Sequence, residues 1–251
     1  MIQLAEPSRD VVLEGLHALK HALRFGGRVR EALTPDPAKV RELAAQLCPD
    51  LLAELDGLLV QVPTARFAAL AGGAVPTGVI ALAEPRSQPL ADVLAVSGSP
   101  IVLLDRPTHH GNVGAVVRAA AAADAAAVLT TGPHDPWHRS CLRGSAGLHF
   151  ALPVMRIDDL PHQTGRPLVA LDPDGAPLRP GSVPDDAILL FGSERRGLDE
   201  RWRRRAERTF CLPMRPGVSS LNLATSVAAV LYRWRIDRER EGEALRPRRR
   251  S

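Results

Sequence analysis

LDRPTHHGNVGAVVRAAAAADAAAVLTTG, residues Leu104 to Gly132, is the stretch that decides the fold class. It begins at the end of an apolar run, Ile101-Val102-Leu103-Leu104, which reads as a buried strand. The chain then enters a polar loop closing with Gly111-Asn112-Val113-Gly114, and an Ala-rich helix carrying one arginine, Arg118, follows. Asn112 stands where an N-cap belongs, its amide able to bond free N–H groups of the first turn. Arg118 falls under two turns into that helix, still near the loop. Read alone, it is an ordinary surface arginine. Read with the loop, it is a cation beside the C-terminal end of a strand, where open α/β sheets build their sites.

Two later segments repeat the pattern of strand, polar loop and helix. Ala187 to Leu198 reads AILLFGSERRGL, and Phe210 to Trp234 reads FCLPMRPGVSSLNLATSVAAVLYRW. Asn112 to Arg118 (N-x-G-x-x-x-R), Gly192 to Leu198 (G-S-E-x-x-G-L) and Ser220 to Asn222 (S-L-N) together resemble the three motifs of the SpoU (TrmH) family of RNA 2′-O-ribose methyltransferases, in the SPOUT superfamily. Each motif is weak alone; the three in order, each after a strand, are specific. The resemblance covers roughly Ser97 to Arg240. It implies an α/β fold with a SPOUT-type parallel sheet and a C-terminal trefoil knot that shapes the cofactor pocket. It implies S-adenosyl-L-methionine as cofactor, without metal, and a homodimer with that pocket at the subunit interface. Residue by residue, it implies catalytic roles for Asn112, Arg118, Glu194, Ser220 and Asn222, and main-chain cofactor contacts at Gly192, Leu212 and Leu221.

The chemistry so implied is an in-line displacement, with a methyl group aimed at an oxygen whose proton leaves as it attacks. An unperturbed arginine titrates near 12.5 to 13.8, so Arg118 suits gripping phosphate better than serving as a base. Glycine at 192 would allow close approach of a ligand, or would simply mark a turn after a strand. Ser220 and Asn222 could line the site and also cap the last helix, and Glu194 could hold Arg118 or Asn112 by charge-assisted bonds. The chain departs from the family at two places. Arg195 and Arg196 stand where a glycine is usual, a strained choice if that position needs a positive φ. Thr108-His109-His110-Gly111 replaces a proline-containing turn; either histidine could be a base, though solvated loop histidines are commoner.

Composition is consistent with this reading. The 45% hydrophobic fraction suffices for a packed core, and 251 residues fit one large or two small domains. No apolar run approaches the ~20 residues of a membrane span, and the start of the chain lacks a basic region followed by an apolar signal core. Cys48, Cys141 and Cys211 are far apart and odd in number, which suits buried thiols in a reducing cytoplasm. No Cys/His cluster has zinc-site spacing. All but two of the 32 basic residues are arginine, which forks phosphates and stacks on bases, although a GC-rich genome would also enrich it. Seven arginines, from Arg195 to Arg208, surround the second motif, and four end the chain from Arg246 to Arg250; such a local field gathers polyanions.

Upstream, Val11 to Arg24 predicts a helix with apolar Leu16, Leu19 and Leu23 on one face, and Lys39 to Leu47 and Cys48 to Leu55 read as helical. Gly57 to Val62 and Gly78 to Ala83 read as strands, and Thr64 to Ala71 as a short helix. His17 and His21, one turn apart, read as a solvated face rather than a metal site. Glu14 to Lys20 and Pro76 to Ala81 resemble, more loosely, the ribosomal-protein-L30e-like substrate-binding domain that some of these enzymes carry. The expected organisation is an L30e-like RNA-binding domain over 1–84, a linker over 85–97, a methyltransferase domain over 98–240 and a basic, disordered tail over 241–251. In the second domain strands are expected at Ile101–Leu104, Val128–Thr130, Leu168–Leu171, Ile188–Phe191 and Thr209–Leu212, alternating with helices as in a parallel sheet. The apolar stripe Leu223, Val227, Val230, Leu231 and Trp234 would be either core or dimer face. The expected activity is 2′-O-methylation of structured RNA, ribosomal RNA ahead of tRNA. The competing class is a non-catalytic RNA-binding or ribosome-assembly factor. No G-x-G-x-x-G after a strand and no P-loop motif supports an oxidoreductase or NTPase.

Overall fold

The computed structural model describes residues 10–71 and 73–244, with side chains through residue 240. The N-terminal unit runs β1 (Val11–Glu14), α1 (Leu16–Arg24), β2 (Val29–Thr34), α2 (Pro37–Leu47), α3 (Leu52–Leu58), β3 (Leu59–Gln61), α4 (Thr64–Ala71) and β4 (Ile80–Ala83). Its sheet has the order β1-β4-β2-β3, with β2 and β3 parallel and the other pairs antiparallel. The single helix expected over Val11 to Arg24 is therefore a strand followed by a helix. Gly15, at φ 88°, breaks the two apart, and Val11 to Glu14 pair with β4. Strand β2 carried no alternating signal and was not expected. The helix expected from Cys48 begins as a 3₁₀ turn, Pro49–Leu51, and α3 runs on into Leu58, so the following strand starts at Leu59.

The larger unit follows α5 (Leu90–Ala95) and comprises β5 (Ile101–Leu104), α6 (His110–Ala122), β6 (Ala127–Thr130), α7 (Arg139–Ser145), β7 (Val154–Arg156), β8 (Leu168–Pro177), β9 (Ile188–Phe191), α8 (Glu200–Arg205), β10 (Arg208–Cys211) and α9 (Leu223–Ala244). Its six strands lie in the order β10-β8-β9-β5-β6-β7, every neighbouring pair parallel. Alternate residues of each strand face opposite sides. Val102, Leu104 and Leu189 pack under α6 and α9, whereas Ile101, Leu103 and Leu190 pack against Val93 of α5 and Trp202 of α8. Burial on both faces explains why these strands read as continuous apolar runs. The expected strands are present; β8 runs on to Pro177, and β7 was not foreseen. The stripe on α9 is core: Leu223, Val227, Val230 and Leu231 join the cluster with α6, and buried Trp234 donates its indole N–H to Asp185. Helix α9 reaches Ala244, into the stretch expected to be a disordered tail; residues 245–251, with Arg246 to Arg250, lie outside the described residues.

The two sheets share a core. Leu142 of α7 and Phe150 just after it, both buried, belong to the cluster built from Leu16, Leu19, Leu23 and Val40 of the N-terminal unit. Glu14 is paired with Arg139 and Arg143 of α7, and His21 Nδ1 bonds the Ala146 carbonyl at 2.7 Å. His21 is thus half-buried against the second unit, unlike the solvated face expected of it, and burial lowers its pKa. Among the described helices none is long and apolar enough to cross a membrane. Phe150→Ala should lower the free energy of urea unfolding by about 3–5 kcal/mol. Far-UV dichroism and the fluorescence of Trp137, whose ring lies 5.4 Å from Phe150, should report one coincident transition for the wild type. Two separated transitions would show that the shared core does not couple the units.

Candidate active site

At the C-terminal ends of β5, β9 and β10, beside the middle of β8, lies a cavity of about 580 Å³. Seven of the eight residues singled out from the motifs line it: Asn112, Gly192, Glu194, Leu212, Ser220, Leu221 and Asn222. The eighth, Arg118, does not. It is exposed on α6 and makes no ion pair among the described residues. A parallel sheet explains the convergence, since every strand delivers its following loop to the same edge.

Three loops are joined there by one chain of side-chain hydrogen bonds. Glu194 Oε1 accepts from Asn112 Nδ2 at 2.6 Å, and Glu194 Oε2 accepts from the Thr108 N–H at 3.0 Å and the Thr108 hydroxyl at 2.8 Å. Asn112 Oδ1 accepts in turn from Asn222 Nδ2 at 3.0 Å. Asn222 Oδ1 then takes the Ala224 N–H at 2.9 Å, so this residue both lines the cavity and caps α9. Asn112 is no cap. Helix α6 begins two residues earlier, at His110, which leaves the Asn112 amide free to bridge the loops. Partial burial alone would push the Glu194 carboxyl up. The bonds from Asn112 and Thr108 outweigh it and hold Glu194 down at about 2. It is an ionised acceptor at any ordinary pH, bonded to Asn112 and not to Arg118.

Two motif glycines serve the frame. A Cβ on Gly192 would stand 2.0 Å from the Gly197 carbonyl carbon and 2.1 Å from the Leu198 nitrogen. The loop folds back on itself there, with Ser193 and Gly197 exchanging two main-chain hydrogen bonds of 3.0 Å, so its own backbone excludes a side chain before any ligand does. A Cβ on Gly114 would lie 2.3 Å from the Cys141 carbonyl oxygen, where α6 crosses α7 at Gly144. The strain anticipated at Arg195 and Arg196 does not arise. The positive φ of that loop falls on Gly197, at 65°, and Arg196 N–H donates to Ser193 Oγ at 3.2 Å.

Much of the arginine cluster is paired internally. Arg201 and Arg205 bond Asp159 and flank the Trp202 ring, Arg204 pairs with Glu200, and Arg203 reaches Asp172 at 3.0 Å. Arg195, Arg196 and Arg208 make no ion pair among the described residues. Sequence reasoning missed Leu171, Asp172, Phe191, Phe210, Cys211 and Met214 in the lining. Leu171 and Phe191 end expected strands, and strand ends in a parallel sheet were the available signal. Cys48 and Cys141 are buried thiols, and burial pushes Cys141 up to about 12, whereas Cys211 borders the cavity. Of the two loop histidines, His109 lines the cavity, while His110 turns away to stack on His138 at 4.1 Å. Among the described residues no group of three His, Cys, Asp or Glu could hold a metal ion. The arrangement offers an ionised acceptor, two amides and a hydroxyl in a cavity also lined by the apolar Leu171, Phe191, Leu198 and Phe210.

Known proteins share this frame. The SpoU rRNA Methylase family model matches residues 99–232. The chain is 26% identical to a 23S rRNA (uridine(2479)-2'-O)-methyltransferase of Streptomyces viridochromogenes, over 89% of this chain and 81% of that one. It is 25% identical to a 23S rRNA (guanosine(2553)-2'-O)-methyltransferase of Bacillus subtilis, over 89% and 88%. The crystal structure of the SpoU methyltransferase AviRb from Streptomyces viridochromogenes in complex with AdoMet superposes with a TM-score of 0.75 at 26% identity, covering 92% of this chain and 91% of that one. An AdoMet-bound rRNA methyltransferase from Sinorhizobium meliloti gives a TM-score of 0.71 at 26% identity, over 91% and 87%. A motif match over more than half of the chain, on a parallel sheet that brings those motifs to one cavity, places this protein in the SpoU RNA methyltransferase family.

Proposed function

We propose that this enzyme transfers a methyl group from S-adenosylmethionine to a ribose 2′-hydroxyl of ribosomal RNA. The observation that carries the reading is the meeting of all three motifs around one cavity. The relatives supply the substrate class, since those named above act on 23S rRNA. At about 580 Å³ the cavity falls in the range of small-molecule sites, roughly 300–1,000 Å³. Its apolar lining, with Leu171, Phe191 and Leu198, suits a nucleoside, and its polar lining suits charged ends, so the residues present fit the cofactor. Gly192, Leu212 and Leu221 would border it through their main chain. When bound, it supplies a methyl group on a good leaving group, and no metal is needed.

The protein's own groups then orient. Asn112, Glu194 and Asn222 hold the three loops in register, and Ser220 lies beside them. Arg118, exposed and without an ion pair among the described residues, is suited to grip an RNA phosphate and to favour the alkoxide as it forms. The exposed Arg195 and Arg196 extend that electrostatic footprint from the second motif. The remaining parts of the reading rest on resemblance: a trefoil knot in the C-terminal segment, an L30e-like fold over 1–84 that selects the RNA site, a linker at 85–97 and a cytoplasmic location. The shared core at Phe150 adds that the N-terminal unit also supports the fold, so its role is best tested by surface substitutions there. The reading also makes the protein a homodimer. The stripe on α9 is used up inside, but Tyr232 and Ile236, one turn apart on the same helix, are each 44% exposed and offer a face for a second copy.

Calorimetry in a chelator should show S-adenosylmethionine binding. Mapping of 2′-O-methyl groups in rRNA and tRNA, from cells with and without the gene, should lose one rRNA position. A loss confined to tRNA would move the substrate, and no loss would remove the activity. Arg118→Ala should cut kcat/KM by about 100-fold or more while cofactor Kd stays within about twofold. Equal losses in both would refute the division of labour. Glu194 titrates lower folded, about 2, than unfolded, near 4.3, so its ionised form stabilises the fold. That contribution is complete above the unfolded value and disappears as pH falls toward 2. Wild type and Glu194→Gln should therefore differ most in thermal midpoint above pH 5 and converge at pH 2; a constant gap would contradict the bonding described. Light scattering at micromolar concentration should give twice the chain mass, and Tyr232→Glu with Ile236→Glu should give the monomer. A wild-type monomer would end the dimer reading.

A further inference from the structure

We infer that His109 is the proton acceptor for the attacking ribose hydroxyl, an assignment that rests on the methyl-transfer reading and deepens it. The reaction needs such a group. As the 2′-oxygen's electron pair forms the new O–CH₃ bond and the methyl–sulfur bond breaks with its pair going to sulfur, the hydroxyl proton must go to a base. The imidazole nitrogen takes it, and the imidazolium returns it to water after the product leaves.

Elimination within the cavity leads to His109. Among the residues lining it, Asn112, Asn222 and Ser220 are not bases at any working pH. Glu194 is held at about 2, and both its oxygens are taken by three donors, so its proton affinity is too low for the task. Asp172 is nearly buried and engaged by Arg203. Arg118 lies outside the cavity and is a guanidinium. The titratable side chains that remain in the lining are the Cys211 thiol and the His109 imidazole, and of the two an imidazole is the usual general base. His109 is exposed at the head of α6 and makes no side-chain hydrogen bond among the described residues.

The backbone holds it in place from both sides. The preceding residue, Thr108, gives its N–H and hydroxyl to Glu194, and the His109 carbonyl accepts from the N–H groups of Asn112 at 3.0 Å and Val113 at 3.2 Å. The charged and titratable groups around it are Glu194, Asp172 and Cys211 in the lining, Arg106 on its own loop, and His110, which turns instead to His134 and His138. The backbone of His109 is thus held at the cavity, and its imidazole is a group that can accept a proton there.

The test compares wild type, His109→Gln and His110→Gln in three measurements. These are the ring proton resonances of the protein free of both substrates, cofactor affinity by calorimetry, and the pH profile of kcat/KM on rRNA. The resonance absent from His109→Gln should titrate with the midpoint of the acid limb of the wild-type kcat/KM profile, since that profile reports groups of the free enzyme. His109→Gln should lose about 10²-fold or more in kcat, together with that limb, and keep cofactor affinity within about twofold. His110→Gln should keep the limb. Retention of the limb in His109→Gln, a loss under about threefold, or an equal loss of cofactor affinity would overturn the assignment while leaving the methyl-transfer reading intact. A wild type that binds the cofactor and methylates no rRNA would overturn both.

Discussion

The carboxylate of Glu194 bonds Asn112 and Thr108, 82 and 86 residues earlier in the chain, and Asn112 in turn bonds Asn222, 110 residues beyond it. A partly desolvated anion is stable only where donors converge on it, and here three do. Those donors belong to the loop after β5 and the first turn of α6, while the carboxylate belongs to the loop after β9. Asn112 then passes the constraint to Asn222, which caps the last helix. The cavity exists because these loops are held at one edge of the sheet. The same bonds that stabilise the anion also set the spacing of the groups that line the cavity.

Backbone packing imposes the second constraint. Gly114 lets α6 lie against α7 at Gly144, and Gly192 lets the loop after β9 fold onto Gly197. Both glycines belong to the motifs, and Gly192 read as a ligand contact. In the structure their first role is to remove side chains from places where main chain meets main chain. A catalytic motif in this fold therefore mixes residues that face the cavity with residues that allow the cavity to form.

Charge follows a similar division. The arginines of α8 neutralise Asp159, Asp172 and Glu200 and flank Trp202, so they brace the far face of the sheet. Arg118, Arg195 and Arg196 have no such partners among the described residues and are exposed. A modest net charge thus conceals a sorted arrangement, with paired arginines holding structure and unpaired ones near the cavity free for phosphate.

Five of the six strands of the large sheet, the three motifs and the seven motif residues that line the cavity were legible in the sequence, because buried parallel strands are apolar and each is followed by its polar loop. Strand β2 and the break at Gly15 were not legible. Their signals are short, and pairing with β4 decided them. Nor could the sequence tell a cap from a bridge at Asn112, a ligand contact from a close turn at Gly192, or a dimer face from core along α9. His109 and His110 are adjacent and chemically identical, yet one faces the cavity and the other stacks on His138. Sequence pattern determined which residue types lie at strand ends, because that depends on local periodicity. Which partner each side chain meets depends on segments brought together from a hundred residues away, and only the tertiary structure decided it.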